Sequence, residues 1–191
     1  MVTDMNTDLI NKRFFKKQRG FTALELIIVL IVGFSIIALS ASKMGQLFSS
    51  SNTNDAMNSI LGVYSSTRAL KNVNGYGDDN TELTKILIDT DTMPKSLSID
   101  KNNGTAKNEW AGDVKITVTN SGNGFYIDYP SVPKEACIKL SQQLIHSGNF
   151  DSIEVAGTAL DSTKTLTDIS SACAQEKNDM KFNVNTGTTT P

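Results

Sequence analysis

Glu25 is the residue whose setting most demands a chemical explanation. It is the only charged side chain in residues 20–42, inside the run FTALELIIVLIVGFSIIALSA that begins at Phe21. An ionisable group in an apolar helix costs up to about 2.5–3.5 kcal/mol at a membrane centre and less near a helix end, so its retention marks a function. Two thiols, Cys137 and Cys173, are the next candidates, able to form a bridge or to stay as buried free thiols. The rest is chemically quiet. With His146 as the only histidine and no Cys-x-x-Cys pair, a zinc site has no ligands. His146 falls near the end of a predicted helix, where a cation-compatible side chain suits the dipole. Asp78-Asp79 and Asp89-x-Asp91 lack the ligand spacing of a calcium loop and read as turn and cap residues. No nucleophile motif and no phosphate-cradling glycine loop occurs, so no catalytic residue, metal or cofactor is expected. Asn103-Gly104-Thr105 matches a glycosylation pattern and is read as a loop, and Trp110 as a packing anchor.

The chain that positions these residues is sorted by charge. Residues 1–20 carry five basic and two acidic side chains, a balance of +3, which leaves −5 for the remainder of a chain whose total is −2. That total argues against a dedicated nucleic-acid binder. Residues 26–42 are 17 consecutive uncharged positions, at the lower limit for a bilayer-spanning helix. A secretory signal peptide has a shorter apolar core and a clear small-residue cleavage site. A plain signal anchor accounts for the basic side staying in the cytoplasm but leaves Glu25 unexplained.

The local string separates these readings. Lys16-Lys17-Gln18-Arg19-Gly20, then Phe21-Thr22-Ala23-Leu24-Glu25 and an apolar run, resembles the class III signal of type IV pilins. The resemblance implies that residues 1–20 are a leader, that a prepilin peptidase cuts between Gly20 and Phe21, and that Phe21 is then N-methylated. Thr22 and Glu25 would be assembly residues, with Glu25 neutralising the amine of Phe21.

Beyond the apolar block, Met44, Leu47, Phe48, Met57, Ile60, Leu61 and Tyr64 recur at three- and four-residue spacing, an amphipathic helix face. Residues 49–54 are six poor helix formers, readable as a linker or as a continuation of one helix over residues 21–73; resemblance to pilins favours the helix. Gly33, Gly45 and Gly62 are further weak spots. Residues 74–77 end the helix, and Asp79 with Glu82 predicts a capping box for a short helix bearing Leu83, Ile86 and Leu87. Val114, Ile116 and Val118, then Phe125, Ile127 and Tyr129 across a Gly-rich turn, predict a hairpin. Pro133 starts a helix with Cys137, Leu140, Ser141 and Leu144 on one face, closed by Gly148. Ile153 with Val155, and Phe182 with Val184, predict short strands, and the polar tail from Asn185 reads as loose. The fold class is α+β: a long N-terminal helix on a small, mainly antiparallel sheet, with the head at residues 74–191.

Gly75-Tyr76-Gly77, then residues 108–112 (Asn-Glu-Trp-Ala-Gly), Gly124-Phe125, Pro133 and Cys137 follow the order of type IVb pilins, most like the thin-pilus pilins of conjugative plasmids and enteric pathogens. Two positions depart from that branch: Ala111 stands where Gly is common, and Phe21 is more usual in type IVa pilins. With the basic end in the cytoplasm, both cysteines face an oxidising periplasm, where a bridge closing about 37 residues contributes roughly 3–4 kcal/mol. The family places this region, 137–173, between subunits. The implied protein is a prepilin held in the inner membrane by residues 21–42, then built by inner-membrane pilus assembly machinery into an extracellular filament of identical subunits. That filament would serve adhesion, aggregation or mating-pair contact with a host or recipient-cell receptor. The alternatives are a minor pilin or type II secretion pseudopilin, or a signal-anchored periplasmic binding domain.

Overall fold

A computed structural model of the chain describes residues 22–187, excluding the side chains of 38–48. The chain divides into two compact units, residues 1–44 and 45–191. In the first, helix α1 (Ala23–Ala69) begins, and the large apolar side chains from Leu24 to Ile37 are all exposed, between 49% and 70%. Among the described residues no helix is long and apolar enough to cross a membrane.

In the second unit α1 stays helical through residues 49–54. The poor helix formers are accommodated locally: Thr53 is buried, and its hydroxyl donates to Ser49 O at 2.8 Å. Ala56, Ile60 and Val63 then enter the core, so packing overrides weak propensity. Gly62 is a site of close approach rather than a weak spot. A Cβ there would lie 2.7 Å from Pro94 Cγ.

The head is a seven-stranded, wholly antiparallel sheet: β1 (Ser98–Asp100), β2 (Thr105–Lys107), β3 (Asp113–Thr119), β4 (Gly124–Pro133), β5 (Ser152–Val155), β6 (Thr158–Leu160) and β7 (Lys177–Asn185), in spatial order β1-β2-β3-β4-β7-β5-β6. The last strand in sequence thus sits inside the sheet, between β4 and β5. Alternation fixes the register. Ile116, Ile127, Phe182 and Ile153 lie opposite one another on the buried face. On the other face Lys115, Asp128, Lys181 and Glu154 line up with alternating sign, the favourable cross-strand arrangement. Burial pushes the Asp128 carboxyl up, and Lys181 and Lys115 oppose that.

Helices α2 (Thr84–Asp89), α3 (Lys134–Ile145) and α4 (Leu166–Ala172) complete the head. The predicted hairpin is β3–β4. The helix after Pro133 is α3, which buries Cys137, Leu140, Ser141 and Leu144 as its periodicity requires. Two expectations are corrected. No Asp79–Glu82 capping box forms: α2 has Leu83 at its N-cap, because residues 80–83 run along β3, with Leu83 N donating to Ile116 O at 2.8 Å. Asp79 instead accepts from Gly122 N at 3.2 Å. The start of the tail is fastened, since Thr186 N donates to Asn123 O at 2.8 Å and Lys71 Nζ to Thr186 O at 2.8 Å. Helix α4 and strands β1, β2 and β6 were not foreseen; α4 carries a Thr165/Asp168 capping box that the Thr-x-x-Asp spacing already encodes.

Residues 108–112 form a turn organised by one buried side chain. Asn108 Nδ2 donates to Pro130 O at 2.6 Å, and its Oδ1 accepts from Trp110 N at 3.0 Å and Gly112 N at 2.8 Å. The turn forces Ala111 to φ +62, while a Cβ on Gly112 would lie 2.4 Å from Pro130 O. The two neighbours should therefore respond oppositely. Ala111→Gly should stabilise by about 0.5–1 kcal/mol, the left-handed penalty less the added glycine entropy. Gly112→Ala should destabilise by more than about 1 kcal/mol. Urea unfolding at constant slope reads both as shifts of midpoint, upward and downward respectively.

Candidate functional site

Three places hold the residues singled out above. At the start of α1, Thr22 N donates to Glu25 Oε2 at 3.3 Å and Glu25 N donates to Thr22 Oγ1 at 3.3 Å. The Thr22 hydroxyl also reaches Glu25 Oε2 at 3.5 Å. This is a reciprocal capping box, which satisfies a free helix donor with the carboxylate and stabilises an acidic side chain near the positive helix end. The Thr-x-x-Glu spacing is the sequence signal for this box; reading both residues only as assembly residues missed it. Gly20 and Phe21 lie outside the described residues.

The second place is the disulfide. Cys137 on α3 and Cys173, the residue capping the C-terminus of α4, are bonded with their Cα atoms 5.9 Å apart, and both are fully buried. The bridge spans 36 positions and encloses β5, β6 and α4. Within that loop, hydrogen bonds from Thr165 to Asp168 hold the latter's carboxyl below the usual range.

The third is where the turn at 108–112 meets α1. The Tyr129 hydroxyl, fully buried on β4, donates to Glu109 Oε2 at 2.5 Å, and Ser59 Oγ of α1 donates to Glu109 Oε1 at 2.9 Å. Ser59 and Ser96 hydroxyls lie 2.7 Å apart. Burial, followed by the hydrogen bond to Glu109, pushes the Tyr129 hydroxyl far above its ordinary value. Trp110 packs edge-on to Tyr129, with ring centroids 6.4 Å apart. Sequence reasoning singled out this stretch by resemblance but missed that Glu109 is its working residue; no spacing rule links residues 59, 109 and 129.

The remaining candidates are not brought together. Asp89 pairs with Lys85 at 3.1 Å and Asp91 with Lys101 at 2.6 Å. His146 caps the C-terminus of α3 and is exposed. Among the described residues no group of three or more His, Cys, Asp or Glu is placed to hold a metal.

Comparison with known proteins decides the family. The family model for the PilS N-terminal region matches residues 50–185. The chain belongs to the PilS N-terminal family. A crystal structure of type IV b pilin from Salmonella typhi is similar, with a TM-score of 0.54 and 25% identity over 68% of this chain and 97% of that one. An NMR structure of type IVb pilin (PilS) from Salmonella typhi aligns with a TM-score of 0.48 and 26% identity, over 70% and 96%. None of the curated proteins matches in sequence. The head is therefore that of a type IVb pilin, a structural subunit of a filament and not an enzyme.

The disulfide's share of head stability follows from its loop. Cys137→Ser should cost about 3–4 kcal/mol, a large part of the roughly 5–15 kcal/mol of a typical domain. Urea unfolding of oxidised wild type against the variant measures it, and Cys173→Ser should give the same loss.

Proposed function

We propose that this protein is a type IVb prepilin, cut between Gly20 and Phe21, methylated at Phe21 and polymerised into a surface filament. The observation that carries the reading is the family match over 50–185 downstream of an apolar helix that opens with a Thr22–Glu25 pair. Before assembly, residues 21–42 hold the subunit in the inner membrane, with the basic leader in the cytoplasm. Extraction from lipid leaves the side chains from Leu24 to Ile37 to be covered by the same surface of neighbouring subunits. The disulfide forms in an oxidising compartment such as the periplasm. The peptidase and the inner-membrane assembly machinery handle the N-terminus, and the exposed heads make adhesive or cell–cell contacts with a receptor.

Mass spectrometry of filaments sheared from cells tests processing. The expected chain starts at methylated Phe21 and lacks residues 1–20, and Gly20→Val should abolish that species. A chain starting near residue 41 would identify a signal peptide instead, and absence of the protein from abundant fibres would point to a minor pilin or pseudopilin.

Glu25 is tested separately. Cleavage creates an amine on Phe21, four residues from this carboxylate. Two unlike charges removed from water attract strongly, and either one alone is costly. Glu25→Ala should leave membrane insertion and cleavage intact while filament yield collapses. Wild-type yield from that variant would remove Glu25 from the assembly mechanism.

A further inference from the structure

Trp110, Tyr129 and Glu109 form a line from a partly exposed ring, through a fully buried phenol, to a carboxylate. Trp110 is the only tryptophan in the chain. Its ring meets Tyr129 at 6.4 Å between centroids and 81° between planes, and the Tyr129 hydroxyl donates directly to Glu109 Oε2. The other oxygen of that carboxylate is engaged by Ser59, which keeps the acceptor fixed in place. We propose that these three residues act as a proton-coupled trap for one-electron oxidation, drawing an oxidising equivalent from Trp110 into the core at Tyr129.

The chemistry balances as follows. A one-electron oxidant, such as a peroxyl or azidyl radical, takes an electron from the Trp110 indole and becomes the anion, and the indole N–H proton goes to water. An electron then moves from Tyr129 to the indolyl radical, whose nitrogen recovers a proton from water. The Tyr129 O–H bond breaks and its proton passes to Glu109 Oε2, leaving a tyrosyl radical beside a neutral carboxylic acid. Phenol oxidation in a buried site is otherwise blocked, because the phenol has no water to receive its proton. Burial already holds the Tyr129 hydroxyl strongly protonated, so Glu109 is the base that permits the step. A short hydrogen bond from the phenol directly to a carboxyl oxygen is the geometry that such a transfer requires.

Pulse radiolysis of the full chain with azide tests this. The azidyl radical oxidises tryptophan first, so the indolyl absorption band should appear and then convert, within the molecule, into the tyrosyl band. Tyr129→Phe should slow that conversion about tenfold or more, equivalent to about 1.4 kcal/mol on the barrier. Glu109→Gln keeps an oxygen acceptor but cannot take the proton, and should slow the conversion similarly. Tyr126→Phe, a change on the opposite face of the sheet, should have no effect. The initial indolyl yield reports in every variant that the tryptophan site remains accessible. An indolyl band that decays in wild type without forming tyrosyl overturns the proposal, as does a wild-type rate in Tyr129→Phe. A wild-type rate in Glu109→Gln removes Glu109 as the proton acceptor and overturns the proton-coupled step.

Discussion

Strand β7 completes the sheet from the inside. It pairs with β4 along nearly its whole length and with β5 on its other edge, so the two halves of the sheet are not joined until the last strand arrives. Between β4 and β7 the chain makes α3, the β5–β6 hairpin and α4, an excursion whose ends must return to the same place. Long-range pairing of this kind draws its reward only after the loop entropy has been spent. The Cys137–Cys173 bridge shortens that loop in the unfolded chain, and it ties α3, which leaves β4, to the turn that enters β7. The rest of the head depends on this closure. Phe182 of β7 lies between Ile127 of β4 and Ile153 of β5, and contacts the rings of Tyr129 and Phe150 at 6.4 and 5.3 Å.

A second set of constraints holds α1 to the sheet. Apolar contact through Ala56, Ile60 and Val63 is non-directional and would tolerate sliding. The direction comes from polar groups that cannot be left unpaired when buried. Ser59 is fully buried on the same stretch of helix and finds both Ser96 and Glu109. Glu109 reaches that point only because Asn108 folds the turn back on Pro130, at the cost of left-handed backbone at Ala111. Nearby Ser131, also left-handed, donates its N–H to Asp179 Oδ1 at 3.0 Å where the β4–β7 register shifts. Two of the left-handed non-glycine residues, Ala111 and Ser131, thus sit where strands, turn and helix meet.

Periodicity made the core legible before any coordinates. The alternation at 114, 116, 118 and at 125, 127, 129 placed β3 and β4 with the correct faces inward, and the Cys137–Leu140–Leu144 spacing placed α3. Short edge elements were not legible. β1, β2 and β6 have three residues each, too few for an alternating pattern to stand out. The one capping box expected from the sequence did not form, and two that were not expected did. Asp79 and Glu82 had the right spacing but were claimed by backbone pairing with β3 and the turn at Gly122, whereas Thr165–Asp168 and Thr22–Glu25, with no competing strand, formed their boxes. The disulfide was readable as a pairing of the only two cysteines. The Glu109 contacts were not, because they depend on three segments 50 and 20 residues apart in sequence.

The exposed apolar side chains of α1 pose a problem of coverage and a separate problem of register. Coverage is undemanding: each fully buried Leu, Ile, Val or Phe contributes about 1.5–3 kcal/mol against either lipid tails or another such helix. A head-to-tail contact between identical subunits does not close on itself unless the rotation happens to, so the same surface repeated gives an open helical filament. Register is harder, because a surface of Leu, Ile and Val offers many nearly equivalent axial positions. Ser35 adds little discrimination, since its hydroxyl already donates to Ile31 O at 2.7 Å within its own helix. Glu25 is the one charged group in residues 23–42, and a buried charge is tolerated only where its partner is. In an isolated subunit that partner is the Thr22 N–H at 3.3 Å, a neutral donor at the helix end. Under the proposed processing, a cationic amine created one residue earlier is a stronger partner for the same oxygen. The capping box therefore keeps the carboxylate satisfied in the chain as it stands, and the proposed processing would change which partner it prefers.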